Sequence, residues 1–379
     1  MDYLKLNEEK LRKLCEEGLR GKYSIALNQV TIPLTNRCNN YCIMCPHINR
    51  KHENHTFYGE PPYDTTLKDC KKMIKMRRYQ RSNNIIFELV GAEPLLNPEV
   101  YEIVKYIKKT YHNSFIKFIS NGTIPPKQAD MVKYIDQIGF SVDGCTNETF
   151  HDLRPPATLD HVVKVITKWD EAASMYNDNF KVGLTVVVSA KNIHEIAGIV
   201  RLASQFKHIE SVYLQPMTLN DTQQHLRHLL LDNVSDNVLK EEINNVEQTS
   251  KETGVRVDGL LNISRSEKNS QNQDCNTSEN CNNSKYCRYL WNKSLYMDKS
   301  GPKGACCNMY KFGKQLTECY KIPKRGSIDK IYNSKGYWQM RKDMLDGKLE
   351  DYCKNCNMRN VGYKLLSEKE INLDEPFYV

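Results

Sequence analysis

The sequence lacks the long apolar segments that would place a protein in or across a membrane. No run of eighteen apolar residues occurs in its 379 residues, whereas a membrane-spanning helix needs about twenty. The first residues, MDYLKLNEEKLRKLCEEG, are charged from the outset and contain no signal-peptide core. We therefore predict a cytoplasmic protein with no membrane partner.

Concentrated basic segments are also missing. The formal net charge is +8, but the 54 lysines and arginines are spread along the chain and form no dedicated arm. A basic surface in contact with water explains such a distribution, so we do not expect nucleic acid as a partner. A zinc-bearing nucleic-acid-binding protein is kept as the alternative from another class of function.

Cysteine, in contrast, is abundant, with 14 residues. Thiols stay reduced in the cytoplasm, so grouped cysteines there indicate metal binding or catalysis rather than disulfides. Cys38, Cys42 and Cys45 form one early group, and more than half of the cysteines lie after residue 270. This distribution predicts two metal regions. Cys15 and Cys70 fall on apolar faces of predicted helices and are expected in the core.

Short apolar runs alternate with amphipathic segments between residues 29 and 217. The runs are rich in Ile, Val and Phe, as buried parallel strands are. Repeated βα units predict an α/β fold with a parallel sheet, and the length suits a partial (β/α)6 TIM-like barrel. A doubly wound sheet is the alternative. The predicted strands are Val30–Leu34, Ile85–Val90, Phe115–Ile119, Ile138–Val142, Val182–Val188 and Val212–Leu214. The predicted helices between them are Leu67–Tyr79, Glu99–Lys109, Lys127–Asp136, Leu159–Met175 and His194–Phe206.

Four segments follow from this pattern. Residues 1–28 form an N-terminal helical segment whose helix begins near Asn7, and residues 29–217 form the core. Residues 218–285 combine a helix over Asn233–Glu252 with a polar linker. Residues 286–379 are predicted to be a small C-terminal domain that carries the second cysteine group.

The first cysteine group lies in TNRCNNYCIMCPH, directly after the first predicted strand, with the spacing CxxxCxxC. Thiolates favour iron–sulfur clusters or zinc. Three cysteines on one loop can hold three irons of a cubane and leave the fourth iron open to a ligand. A structural zinc site would need a fourth protein ligand, for which His47 is the candidate. The spacing favours the cluster over zinc.

This loop resembles the signature of the radical S-adenosylmethionine (SAM) superfamily, with Met44 at the apolar position that the family places near the SAM adenine. The sequence GAEP (Gly91–Pro94) resembles the family motif GGEP, although Ala92 replaces its second glycine. SNGT and SVDG follow the third and fourth strands, where the family places polar groups that contact the SAM ribose and carboxylate. Arg154 lies where related enzymes place an arginine on that carboxylate, and a guanidinium suits a carboxylate in geometry. The resemblance implies cofactor binding by Met44, Gly91, Ala92, Glu93, Asn121, Ser141, Asp143 and Arg154.

The C-terminal cysteines resemble the SPASM/Twitch extensions of radical SAM enzymes. The resemblance makes four of them ligands of an auxiliary [4Fe–4S] cluster with no open iron: Cys287, Cys306, Cys353 and Cys356. No cysteine follows Cys356, so the Twitch form with one cluster fits better than a full SPASM region. A structural zinc ribbon is the alternative, and Cys307 could replace Cys306.

The resemblance implies an oxidoreductase or isomerase that cleaves SAM to a 5′-deoxyadenosyl radical, with flavodoxin or ferredoxin as electron donor. Only 37 residues precede Cys38, which is too short for a leader-peptide domain and favours a small substrate of aminosugar or cyclitol type. Maturation of a ribosomal peptide, by crosslinking or epimerisation, is the alternative. Cys145, Cys307 and Cys319 are candidate hydrogen-atom donors.

Overall fold

The computed structural model describes residues 8–24, 27, 29–45, 61–75, 84–219, 221–259, 290, 294–298, 301–304 and 318–348. The strands are β1 (Gln29–Pro33), β2 (Ile86–Val90), β3 (Phe115–Ser120), β4 (Gln137–Ser141), β5 (Lys181–Val188), β6 (Ile209–Pro216), β7 (Arg256–Gly259), β8 (Ser294–Asp298) and β9 (Gly301–Gly304). The helices are α1 (Glu8–Leu19), α2 (Leu67–Met73), α3 (Val100–Thr110), α4 (Asn147–Leu153), α5 (Leu159–Tyr176), α6 (Ile196–Ala203), α7 (Asp236–Thr253), α8 (Ile328–Tyr332) and α9 (Lys335–Leu345).

The strands form one sheet in the order β7-β6-β5-β4-β3-β2-β1-β8-β9. Every neighbouring pair from β7 to β8 is parallel, and β9 is antiparallel to β8. A doubly wound sheet would reverse its strand order at a switch point, whereas β1 to β7 follow one another without reversal. The predicted α/β fold with an open, partial TIM-like barrel is confirmed.

Three described strands extend the sheet beyond the six that the sequence predicts. Strand β7 lies in the segment predicted as a helical extension and linker, and it pairs with β6. Strand β8 lies in the predicted C-terminal domain, yet it pairs with β1 through the register Gln29↔Ser294. The sheet therefore crosses the predicted segment boundaries, which stay predictions.

Two crossover connections differ from the sequence prediction. The predicted helix Lys127–Asp136 is a short 3-10 helix, Ala129–Lys133, whose N-cap residue Gln128 makes no capping hydrogen bond. Asp136 instead binds the Nζ of Lys108 and the backbone N of Ile116, which turns the chain directly into β4. Helix α4 was not predicted; its N-cap residue is Thr146, whose side chain accepts a hydrogen bond from the N of Thr149.

The two faces of the sheet differ in chemistry because side chains alternate along a strand. In β2, Phe87 and Leu89 are fully buried on the face that the helices cover, whereas Glu88 lies on the other face. The helix-covered core also contains Trp169, stacked on Phe180 with 5.9 Å between ring centroids. Cys15 and Cys70 are fully buried in this core, as predicted. Among the described helices, none is long and apolar enough to cross a membrane.

Candidate functional site

The loop that carries Cys38, Cys42 and Cys45 follows β1 and is fixed by backbone hydrogen bonds. The N of Tyr41 donates to the O of Pro155 at 2.6 Å, and the N of Ile43 donates to the O of Leu153 at 3.0 Å. A small apolar cluster lies beneath the loop, made of Cys42, Met44, Leu153, Met217 and Leu226. The loop therefore has a defined shape set by the chain after α4 and by the residues after β6.

A cavity of about 530 Å³ opens along the concave face of the sheet, at the carboxyl ends of the first strands. The three cysteines of the loop line it. Six of the eight predicted cofactor-binding residues line it as well: Met44, Gly91, Ala92, Asn121, Ser141 and Arg154. Parallel sheets gather their ligand sites at this end, so residues far apart in sequence meet around one space.

The GAEP loop lies directly against the cysteine loop. The N of Ala92 donates to the O of Thr35 at 3.0 Å, and the N of Glu93 donates to the O of Arg37 at 2.9 Å. Gly91 has φ +147°, and a Cβ there would stand 2.4 Å from the O of Thr35. Only glycine allows this approach without displacing one of the two loops.

Glu93 is fully buried behind the cavity and is absent from its lining. Its carboxylate accepts hydrogen bonds from the Oγ of Ser120 at 2.9 Å, the N of Asn121 at 2.7 Å and the N of Leu95 at 3.1 Å. Burial raises the pKa of Glu93 to about 7, and these hydrogen bonds oppose that rise. In the structure the side chain joins the loops after β2 and β3, and its role in cofactor binding stays a prediction.

Asp143 is likewise fully buried and absent from the cavity lining. It accepts a hydrogen bond from the Nε of Arg154 at 2.6 Å and another from the N of Val187 at 2.7 Å. With its guanidinium held in this way, Arg154 places Nη1 3.6 Å from the Sγ of Cys42. Burial raises the pKa of the Cys42 thiol, and the charge of Arg154 opposes that rise. Arg154 therefore faces both a cysteine sulfur and the cavity.

Cys38 also has hydrogen-bond donors directed at its sulfur. The N of Asn40 is 3.5 Å from the Sγ, and the Nδ2 of Asn121 is 3.8 Å from it. The same Nδ2 donates to the Oδ1 of Asn39 at 2.8 Å, which orients the amide. Burial raises the pKa of Cys38 to about 12, so this thiol needs a cationic partner to stay ionised.

The donor set fits a [4Fe–4S] cluster. Three thiols share one loop, they open on a cavity, and donors of the kind that stabilise cluster sulfurs face two of them. Within the described ranges, no three cysteine, histidine or carboxylate side chains gather around a position for one metal ion. A cubane attaches each thiolate to a different iron, so it does not require that convergence.

Two of the remaining predicted residues, Cys145 and Cys319, lie outside the cavity lining. Cys145 is half-buried with its Sγ against α6, where a Cβ on Gly198 would stand 2.4 Å from it. Cys319 is exposed, and neither residue lines the cavity. The residues that lie outside the described ranges are His47, Cys307 and the predicted auxiliary ligands Cys287, Cys306, Cys353 and Cys356. All these roles stay predictions.

The sequence analysis missed the residues that line the lower part of the cavity. They come from alternate positions of β2 to β7 and include Glu88, Lys117, Gln137, Gly139, Gly183, Thr185, Ser211, Tyr213 and Asp258. A signal for two of them, Glu88 and Lys117, was present, because IFELV and FIKFIS each carry a charged residue inside an apolar run. Strands that are buried on both faces would not need those polar residues.

Comparison with known proteins shows which superfamily the chain resembles. The model of the radical SAM superfamily matches residues 32–203. An uncharacterised protein of Methanocaldococcus jannaschii is 33% identical over 177 residues, which cover 44% of this chain and 55% of that protein. A GTP 3′,8-cyclase of Syntrophomonas wolfei is 26% identical over 200 residues, 52% of this chain and 58% of that protein. The chain thus spans between half and two thirds of the length of these relatives.

Among solved structures, SuiB of Streptococcus suis bound to the precursor peptide SuiA is similar with a TM-score of 0.55 at 13% identity. The match covers 96% of this chain and 80% of SuiB. At that identity the likeness concerns the fold alone.

Proposed function

From the radical SAM domain that the chain carries over residues 32–203, we propose that the protein is an enzyme that cleaves SAM reductively beside Cys38, Cys42 and Cys45. The observation that carries the proposal is the meeting of the three loop cysteines with Gly91, Asn121 and Arg154 around one cavity. Each of these features has an ordinary structural explanation alone. Their convergence on one space is what an iron–sulfur site with an open position requires.

The three cysteines would hold the cluster, and the loops around it would hold SAM. A reduced cluster would supply one electron to the sulfonium of SAM, and breaking of the sulfur–carbon bond would give methionine and a 5′-deoxyadenosyl radical able to remove a hydrogen atom from a substrate. The hydrogen bond to Asp143 orients the Arg154 guanidinium toward the Cys42 sulfur. Ser141 and the backbone of Gly91 and Ala92 supply polar groups at the cavity wall. The concave face of the sheet encloses the reacting atoms and limits access of water.

The net reaction is proposed to be oxidation or rearrangement of a substrate in the same cavity, with flavodoxin or ferredoxin as electron donor. An auxiliary [4Fe–4S] cluster on Cys287, Cys306, Cys353 and Cys356 would exchange an electron with the substrate radical. The compared proteins lend no support to an aminosugar or cyclitol, since one is a GTP 3′,8-cyclase and another is bound to a precursor peptide. A peptide substrate is therefore retained as the second candidate.

Anaerobic reconstitution with iron and sulfide tests the proposal. We expect the wild-type protein to bind iron, to absorb in the visible range, and to change its reduced EPR spectrum when SAM is added. The triple substitution of Cys38, Cys42 and Cys45 by alanine should remove that SAM-dependent change. Cys70→Ala is the matched control because Cys70 is a buried helix cysteine away from the cavity, and its spectrum should respond to SAM as the wild type does.

Two outcomes would contradict the proposal. A colourless protein that binds zinc in place of iron would favour the structural-zinc alternative. An unchanged response to SAM in the triple variant would show that SAM binds at another site.

A further inference from the structure

A row of polar side chains crosses the concave face at the bottom of the cavity. The strand register aligns Thr31 with Glu88, Glu88 with Lys117, and Lys117 with Gln137. Glu88, Lys117 and Gln137 line the cavity, and we call these three residues the cavity floor. They lie nearer the amino-terminal ends of the strands than the cysteine loop, which follows the carboxyl end of β1.

The hydrogen-bonding capacity of the floor is only partly used. The Oε2 of Glu88 accepts from the Nε2 of Gln29 at 2.8 Å and from the Oγ1 of Thr31 at 3.0 Å. Its Oε1 has a single long contact, 3.4 Å to the Nζ of Lys117, although the two side chains are only 18% and 12% exposed. Among the described residues, the Lys117 ammonium contacts no polar group other than Glu88, and the amide of Gln137 makes no hydrogen bond.

Enclosed polar groups normally have partners. An ammonium has three donors, and an amide has both donors and an acceptor. The unused capacity of Lys117, Glu88 and Gln137 therefore faces the space that a substrate would enter. This is a recognition surface for a molecule with hydrogen-bonding groups.

Space for such a molecule lies directly above the floor. The next row of the register pairs Gly139 with Gly183 and Gly183 with Ser211, so two neighbouring strands have no side chain there. A Cβ on Gly183 would meet only the Oγ of Ser211 at 3.6 Å and its O at 3.7 Å. The two glycines leave a passage from the region of the cysteine loop down to the floor.

The charges around this space cancel. Lys117 faces Glu88, Arg154 is paired with Asp143 at 2.6 Å, and Asp258 is paired with the Nε of Arg256 at 2.6 Å. Among the described lining residues, every charged group thus has an opposite charge beside it. A polyphosphate would meet no excess of positive charge here, and phosphate recognition relies on such an excess.

We propose that the cavity floor binds the inner end of the substrate and that this end is uncharged and carries hydroxyl groups. A hydroxyl can accept from Lys117 or Gln137 and donate to the Oε1 of Glu88 at once. The hydroxyl could belong to a polyol ring or to a serine side chain. This inference rests on the proposed function for its substrate, but it concerns residues that the SAM site does not use.

Binding of defined probes to the reconstituted, SAM-loaded protein tests it. The probes are myo-inositol, N-acetylserine amide and GTP. Their binding is measured by calorimetry under anaerobic conditions. We expect at least one hydroxyl probe to bind and to lose about tenfold or more in affinity in Lys117→Met and in Glu88→Gln. Whichever hydroxyl probe binds identifies the source as polyol or serine. GTP is expected to bind without dependence on Lys117, or not at all.

Two further variants separate recognition from folding. Gln137→Leu removes an amide that has no partner among the described residues. It should therefore lower the affinity for the probe while leaving thermal stability unchanged. Lys191→Met breaks the ion pair of Lys191 with Asp152, neither of which lines the cavity, and should leave probe affinity as in the wild type.

The proposal is overturned if neither hydroxyl probe binds, if their affinity is the same in all floor variants, or if GTP binds through Lys117. SAM cleavage without any probe is measured in parallel. Loss of that cleavage in the wild type would refute the proposed function, whereas normal cleavage with no floor-dependent binding would refute this inference alone.

Discussion

Replacing Arg154 by methionine removes both contacts of its guanidinium, the ion pair with Asp143 and the contact with the Cys42 sulfur. The Arg154–Asp143 pair is almost completely buried, with 2.6 Å between Nε and Oδ2. Removing one partner of a buried pair costs about 3–5 kcal/mol because the other charge is left uncompensated. The N of Val187 still donates to the Oδ1 of Asp143. We therefore expect the free energy of unfolding to fall by about 3 kcal/mol, near the lower end of that range.

The same substitution removes the donor that lies 3.6 Å from the Cys42 sulfur. A cationic donor favours the more negative, reduced state of a cluster. A one-electron potential changes by about 59 mV for each ~1.4 kcal/mol of that preference. We expect the midpoint potential of the cluster to fall by on the order of 50 mV.

Denaturant unfolding and an EPR-monitored redox titration of the reconstituted protein measure the two effects. Lys191→Met is the control, because its pair with Asp152 is exposed and such pairs contribute less than about 1 kcal/mol. Asp143→Asn combined with Arg154→Met should recover part of the stability but none of the potential. A potential within error of the wild type, with stability equal to the control, would refute this account of Arg154.

Three further outcomes are expected. Gly91→Ala should lower the free energy of unfolding by about 1–3 kcal/mol and weaken SAM binding in a SAM titration, because its Cβ would collide with Thr35. Gly254→Ala is the control, also at positive φ but with open space around it, and should leave SAM binding intact in the same titration. Glu93→Gln should destabilise the protein by about 1–3 kcal/mol in denaturant unfolding, since its amide would turn a donor toward a backbone N–H; an unchanged midpoint would contradict this. Iron analysis should give about eight irons per chain if both clusters are present, and about four in a soluble variant that lacks the predicted auxiliary ligands Cys287, Cys306, Cys353 and Cys356.

The part of the fold that the sequence predicts well is the part with strong local patterns. Strands β1 to β6 are apolar runs of ordinary length, and helix α5 begins one residue after the cap Thr158, so periodicity alone locates them. Strands β8 and β9 are short and include Gly301 and Pro302. Their place in the sheet depends on pairing with β1, a long-range contact that no local pattern encodes.

The candidate site divides in the same way. The cysteine loop and the strand-end motifs could be read from spacing, and most of those residues do line the cavity. The sequence could not show that Glu93 and Asp143 lie behind the wall, because their burial depends on Ser120, Val187 and Arg154 from other elements. The cavity floor was missed because it needs the strand register, which aligns Glu88 with Lys117.

Formation of 5′-deoxyadenosine is the measurement that tests the central claim most directly. Reconstituted wild-type protein, reduced with dithionite and given SAM, should release 5′-deoxyadenosine and methionine, and the variant with alanine at Cys38, Cys42 and Cys45 should release neither. Cys70→Ala should behave as the wild type. Continued release of 5′-deoxyadenosine by the triple variant, or none by a wild-type protein with full iron content, would contradict the account.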